Sequence, residues 1–101
     1  MNEFKFYGTA LEKPTLLESE SGNKYCNLLL SVEKNYKTAE GKDTDNFKIT
    51  CFKTIAEDVC EKMKKGSRVI VKGRLQENKY LKDNGEPSYK TELVGERIEY
   101  I

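Results

Sequence analysis

Apolar and polar residues alternate in several short runs, a pattern typical of β-strands that bury one face. The clearest run lies between residues 25 and 35, and its apolar set is Cys26, Leu28, Leu30 and Val32. A second run follows, with core positions at Phe47, Ile49 and Cys51. Phe52 falls on the polar side of that strand together with Lys48. A large aromatic on the polar side is a misfit, so Phe52 is a candidate for binding.

The remaining alternation predicts three further strands. The first runs from Phe4 to Tyr7, and a polar loop from Lys37 to Asp45 separates the two strands described above. A fourth strand is indicated by the alternating apolar positions Val69, Val71 and Leu75. Asn84-Gly85 then supplies a hairpin turn, because both residues tolerate positive φ, and a last strand takes Tyr89 to Ile101.

One helix is predicted between the third and fourth strands. The segment from Thr54 to Glu57 reads as a capping box, in which two side chains satisfy free amides of the first turn. Apolar residues then recur at four-residue spacing, at Ile55, Val59 and Met63, and Gly66 is placed to end a helix of about ten residues.

Composition limits the possible classes of protein. A chain of 101 residues suits one domain, and 37% hydrophobic with 35% charged residues indicates a polar folded domain. No apolar run reaches the roughly 20 residues of a membrane span, and the first residues lack a secretory signal. We therefore expect a cytoplasmic protein with no membrane partner.

The candidate chemistry argues against an enzyme. The chain has no histidine, and Cys26, Cys51 and Cys60 form no C-x-x-C pair, so we expect reduced thiols, no metal and no cofactor. No nucleophile motif or catalytic set is recognisable. Asp43 and Asp45 begin like a calcium loop, but the sixth and twelfth positions do not fit.

Basic residues are concentrated in one part of the chain, although the net charge is only +1. Between residues 62 and 82, eight lysines and arginines stand against Glu77 alone. Such a stripe attracts phosphate groups even on a nearly neutral chain.

Several segments resemble the single-stranded DNA-binding proteins of bacteria and phages. They are Met1-Asn2 with Gly8, Asn27 to Val32 with Asn35-Tyr36, Phe52 with Ala56-Glu57, Lys64 to Val69, Gly73-Arg74-Leu75, the hairpin bearing Tyr80, and Tyr89 to Glu92. The resemblance implies an all-β fold over residues 1–101. This fold is a five-stranded OB Greek-key barrel, with one helix between the third and fourth strands and a protruding hairpin between the fourth and fifth.

The resemblance also implies sequence-independent binding of single-stranded DNA in replication, recombination and repair. Bases stack on aromatic rings and basic residues follow the phosphates. The positions matching the family's stacking aromatics are Tyr36, Phe52 and Tyr80. The expected phosphate contacts are Lys34, Lys48, Lys72, Arg74 and Lys79. A homotetramer, or at least a dimer, is expected, with the strand edge from Glu3 to Tyr7 available for pairing.

The chain departs from the family pattern at two places. Asn46 stands where a fourth aromatic is common and there is no tryptophan, so a lower affinity per domain is expected. No acidic C-terminal tail follows Ile101, which puts tail-mediated recruitment of replication proteins in doubt. Two other classes stay open: a dimeric primosome-like adaptor on the same barrel, and a carboxylate-metal nuclease on an OB scaffold.

Overall fold

The computed structural model describes residues 1–36, 39 and 43–101, so most of the loop predicted from Lys37 to Asp45 lies outside the described residues. The elements are β1 (Phe4–Ala10), β2 (Leu17–Glu18), β3 (Lys24–Glu33), β4 (Thr44–Phe52), α1 (Lys53–Lys62), β5 (Arg68–Leu81) and β6 (Pro87–Tyr100). No described helix has the length and apolar character needed to cross a membrane.

The long strands pair in the order of an OB fold. β1 pairs antiparallel with both β5 and β3, β3 with β4, and β5 with β6, while β4 and β6 run parallel. These pairings link five strands in a ring, whose narrowest link is two residue pairs between β4 and β6. The predicted all-β OB architecture is confirmed, including the helix between the third and fourth long strands. The two-residue β2, which pairs with Tyr25 and Lys24, is an additional strand.

The core lies inside this ring and follows the predicted alternation, except that Phe47 is half-buried and Leu75 is exposed. The largest fully buried side chains come from β3, β4, β5 and the helix: Leu28, Leu30, Ile49, Met63, Val59, Val69, Val71, Cys26 and Cys51. Burying one such aliphatic side chain contributes about 1.5–3 kcal/mol. The helix covers the core with Ala56 and Val59, and Met63 follows directly after it. The side chains on the inner faces of the strands therefore form the core, and only the side chains on the outer faces are accessible to a ligand.

The helix begins and ends differently from the prediction. It starts at Lys53 after Phe52, and no side chain of the described residues caps it, so the capping box at Thr54 to Glu57 is wrong. Lys53 itself has a φ of 55°, and this sharp turn from strand into helix leaves Thr54 inside the first turn. The helix ends at Lys62, and Gly66 instead turns the chain into β5, its amide donating to the Ala10 carbonyl.

A register shift between Lys72 and Gly73 sets the path of the hairpin. A Cβ at Gly73 would lie 1.9 Å from the Val94 carbonyl oxygen, so only glycine allows the two strands to approach here. Beyond Gly73 the strands pair without a further shift as far as Leu81 and Pro87. We call residues 77–90 the arm; apart from Ser88, all of its side chains are exposed.

Candidate nucleic-acid interface

The outer faces of β3, β4, β6 and β5 are neighbours in the sheet and form one continuous surface. Phe52 lies on this surface and is 37% exposed, whereas the adjacent Cys51 is fully buried. The alternation along β4 therefore turns the Phe52 ring outward, as the sequence predicted. We call this surface the outer face.

Phe52 and Arg74 lie in the same open depression of the outer face. Its lining is Phe52, Lys53, Ile55, Arg74, Val94, Gly95 and Glu96. The depression forms where β4 runs beside β6, and β6 pairs with β5 through Val94 and Arg74. An aromatic ring and a guanidinium are thereby brought together although they are 22 positions apart in the sequence. Such a pair can stack a base and contact its phosphate at the same time.

Lys48 lies in a neighbouring depression on the same face. That depression is lined by Lys48, Asn78, Lys90, Thr91, Glu92 and Leu93. Among the described residues, Lys48 has no carboxylate within salt-bridge distance. The structure thus brings the predicted Lys48 close to Lys90, a cation that the sequence analysis did not select.

Tyr80 and Lys79 lie on opposite sides of the arm. Tyr80 is 50% exposed and pairs with Ser88 across the hairpin, and it continues the row of Arg74, Gln76 and Asn78 along β5. Two side-chain hydrogen bonds mark that row, from Arg74 to Gln76 at 3.2 Å and from Gln76 to Asn78 at 3.0 Å. Lys79 pairs instead with Tyr89 on the reverse side. Neighbours in sequence are therefore separated by the pleat.

Tyr36 and Lys34 lie near the opposite end of β3. Tyr36 is 67% exposed, and the Lys34 ammonium is 5.8 Å from the centre of its ring. Lys34 also forms an ion pair with Asp45 at 2.9 Å, and this contact raises the pKa of the Lys34 ammonium above its ordinary value. Phe52 pairs with Tyr25 at the other end of β3, on the order of 25 Å away along the strand. Tyr36 therefore lies apart from Phe52, in a separate depression that Phe6 and Phe47 also line.

The other two cations predicted to contact phosphate, Arg74 and Lys72, also form ion pairs with carboxylates. Arg74 contacts Glu96 at 3.1 Å, and Lys72 approaches Glu99 at 3.9 Å. Lys72 lies in a different depression, beside Lys5 on β1. These carboxylates were missed in the sequence analysis. Tyr25, the register partner of Phe52, was also missed, although its odd position in the alternating run of β3 indicates the outer side.

The three cysteines lie in the core or at its edge. Cys26 and Cys51 are buried register partners, Cys60 is half-buried, and all three are free thiols. Burial raises the pKa of the Cys60 thiol to about 11. Among residues 1–36, 39 and 43–101, no group of three acidic or cysteine side chains is arranged to hold a metal ion.

Comparison with known proteins shows the family of the chain. The model of the "Single-strand binding protein family" matches residues 1–101. The chain belongs to this family. Over its whole length the chain is 33% identical to "Single-stranded DNA-binding protein 1" of Clostridium acetobutylicum and covers 94% of that relative. It is 31% identical to the protein of the same name from Staphylococcus aureus, covering 65% of it, and 30% identical to "Single-stranded DNA-binding protein 3" of Listeria innocua, covering 64%.

Proposed function

We propose that this chain binds single-stranded DNA on its outer face without sequence preference. The observation that carries the proposal is a depression on the outer face that the exposed Phe52 ring and Arg74 line together. Membership in the single-strand binding protein family supports it. The same chemistry supports a role in covering exposed strands during replication, recombination and repair, which in a bacterial cell takes place in the cytoplasm.

Binding on this face needs both stacking and charge. Bases stack on Phe52 and Tyr80, and each platform contributes about 1–3 kcal/mol regardless of the base. Arg74 and Lys48 contact phosphates between these platforms, and Lys72 extends the basic surface toward β1. Duplex DNA hides its base faces, so it cannot use the aromatic platforms. Binding itself is the whole activity that we propose; no step of bond breaking is involved.

Three of the predicted contact residues lie outside this central path. Tyr36 with Lys34 stands near the far end of β3, where it serves a strand that continues past the barrel. Lys79 lies on the reverse side of the arm, so we assign it the smallest contribution among the phosphate contacts.

We further propose that the protein assembles into a homo-oligomer, a tetramer or at least a dimer, through β1. β3 pairs only with Gly8, Thr9 and Ala10 of β1, so the edge from Phe4 to Tyr7 is paired on one side alone among the described residues. Exposed strand edges of this kind readily pair with another chain. Light scattering at micromolar concentration should give a multiple of the 11.6 kDa chain mass. A monomer mass would contradict the assembly and leave the binding proposal intact.

The binding proposal is tested by fluorescence polarisation with a labelled oligo(dT) and a blunt duplex of equal length. We expect tight binding to dT, much weaker binding to the duplex and little difference among mixed sequences. A titration on long poly(dT) should give stoichiometric coverage with a defined number of nucleotides per chain, whereas an adaptor protein need not cover the strand. Equal affinity for dT and duplex would reject the proposed function.

A further inference from the structure

Carboxylates hold three of the five cations that are expected to contact phosphate. Lys34 pairs with Asp45, Lys72 with Glu99 and Arg74 with Glu96. We propose that Glu96 competes with DNA phosphate for Arg74, so that strand binding exchanges an internal ion pair for a phosphate contact. This inference rests on the proposed function and adds a residue that sets its affinity and its salt dependence.

The geometry at Arg74 shows what a phosphate must displace. One guanidinium nitrogen, Nη1, donates to Glu96 Oε2 at 3.1 Å, and the other, Nη2, donates to Gln76 Oε1 at 3.2 Å. Each outer nitrogen thus already donates one hydrogen bond within the free chain. Arg74 and Glu96 line the same depression as Phe52, so a nucleotide stacked on Phe52 brings its phosphate to this pair.

The exposure of the pair makes the exchange feasible. The Arg74 and Glu96 side chains are 43% and 51% exposed, and ion pairs in such settings hold together only weakly because water competes with each partner. A phosphate can therefore replace Glu96. The displaced carboxylate stays beside the bound strand, where it repels the phosphate and retains a cation from solution. The repulsion weakens binding, and the retained cation reduces the net release of counterions.

Glu92 provides a matched comparison on the same strand. It accepts hydrogen bonds from Asn78 at 2.6 Å and Gln76 at 3.5 Å, and no salt bridge to it is found among the described residues. Replacing Glu92 or Glu96 by glutamine changes the net charge by the same amount on the same face. Only the Glu96 replacement releases Arg74.

The experiment measures oligo(dT) affinity of the parent, Glu96→Gln and Glu92→Gln between about 50 and 300 mM salt. At the low end Glu96→Gln should bind about 1.5- to 5-fold more tightly, which is the range for losing one exposed ion pair. Its plot of log K against log salt should be steeper by up to about 0.7, the value for one single-strand phosphate contact. Glu92→Gln should gain less than half as much, and thermal unfolding should show both variants folded.

The competition is tested separately by combining Glu96→Gln with Arg74→Ala. If Glu96 acts through Arg74, the gain should disappear in the combined variant. An undiminished gain in that background, or equal gains for Glu92→Gln and Glu96→Gln, would show a general charge effect and overturn the inference. Failure of the parent itself to bind dT would instead reject the proposed function, so the two failures are distinguishable.

Discussion

The barrel and the arm carry the two ends of the proposed binding face, and they are built on different supports. Phe52 is the last residue of β4, and the residue before it, Cys51, is fully buried in the core. Tyr80 extends from a hairpin that has almost no buried side chains, and it is held mainly by backbone pairing with β6. The proposed binding face thus combines two aromatic platforms of the same chemistry. Phe52 is fixed by the packing of the core beneath it, whereas Tyr80 is held mainly by the pairing of the two arm strands.

The largest expected difference between the two regions concerns stability. Leu28→Ala should lower the free energy of unfolding by about 2–5 kcal/mol, because Leu28 is fully buried and its loss leaves a cavity. Leu81→Ala in the arm should change it by less than about 0.5 kcal/mol, since Leu81 is 69% exposed. Urea unfolding monitored by circular dichroism measures both. A comparable loss in the two variants would show that the arm is packed against something, for example a second chain.

The next effect concerns stacking. Phe52→Ala and Tyr80→Ala should each weaken dT binding by about 1–3 kcal/mol while leaving the slope of log K against log salt nearly unchanged, because neither ring carries charge. Circular dichroism must first show that Phe52→Ala is folded. If folded Phe52→Ala binds dT like the parent, stacking at the barrel end is wrong; if only Tyr80→Ala does, the strand does not reach the arm.

A charge substitution on the barrel should behave differently from these ring substitutions. Arg74→Ala should weaken binding to all sequences alike and make log K less steep in log salt by about 0.7 or less, the lower values reflecting the competition from Glu96. Polarisation titrations at several salt concentrations measure the slope. A slope change in Phe52→Ala and none in Arg74→Ala would mean that the two roles are assigned backwards.

The smallest effect separates the outer face, which carries Lys48, from the reverse side of the arm, which carries Lys79. Lys48→Ala should reduce the slope by about 0.7, whereas Lys79→Ala should reduce it less, because Lys79 lies on the reverse side beside Tyr89. The same titrations serve for both variants. Equal reductions would indicate that the strand passes around both sides of the arm.

Period-two alternation predicted the strands and the core well, because inward and outward positions in a sheet follow directly from sequence spacing. The outward position of Phe52 came from the same rule. Two residues cannot show a period, so β2 was missed. The helix start was wrong because the chain turns sharply at Lys53, which the local pattern of Thr54 to Glu57 does not reveal.

The surroundings of the candidate site residues were predicted less completely than the fold. The five cations could be selected from sequence, but their acidic partners depend on which residues face each other across strands. The register shift at Gly73 places Glu96 beside Arg74, and a shift of one residue elsewhere would have placed another side chain there. Lys79 was grouped with Tyr80 by adjacency, although strict alternation already separates neighbouring side chains.

The most direct test of the central claim uses the absence of tryptophan from the chain. Phe52→Trp creates a single tryptophan on the outer face, which can be excited selectively over the six tyrosines, and Glu61→Trp creates a control on the exposed surface of the helix. Saturating oligo(dT) should strongly quench the fluorescence of Phe52→Trp through contact with a base and leave that of Glu61→Trp nearly unchanged. If polarisation shows that dT is bound while the Phe52→Trp emission does not change, the strand does not stack at this position and the account of the outer face is contradicted.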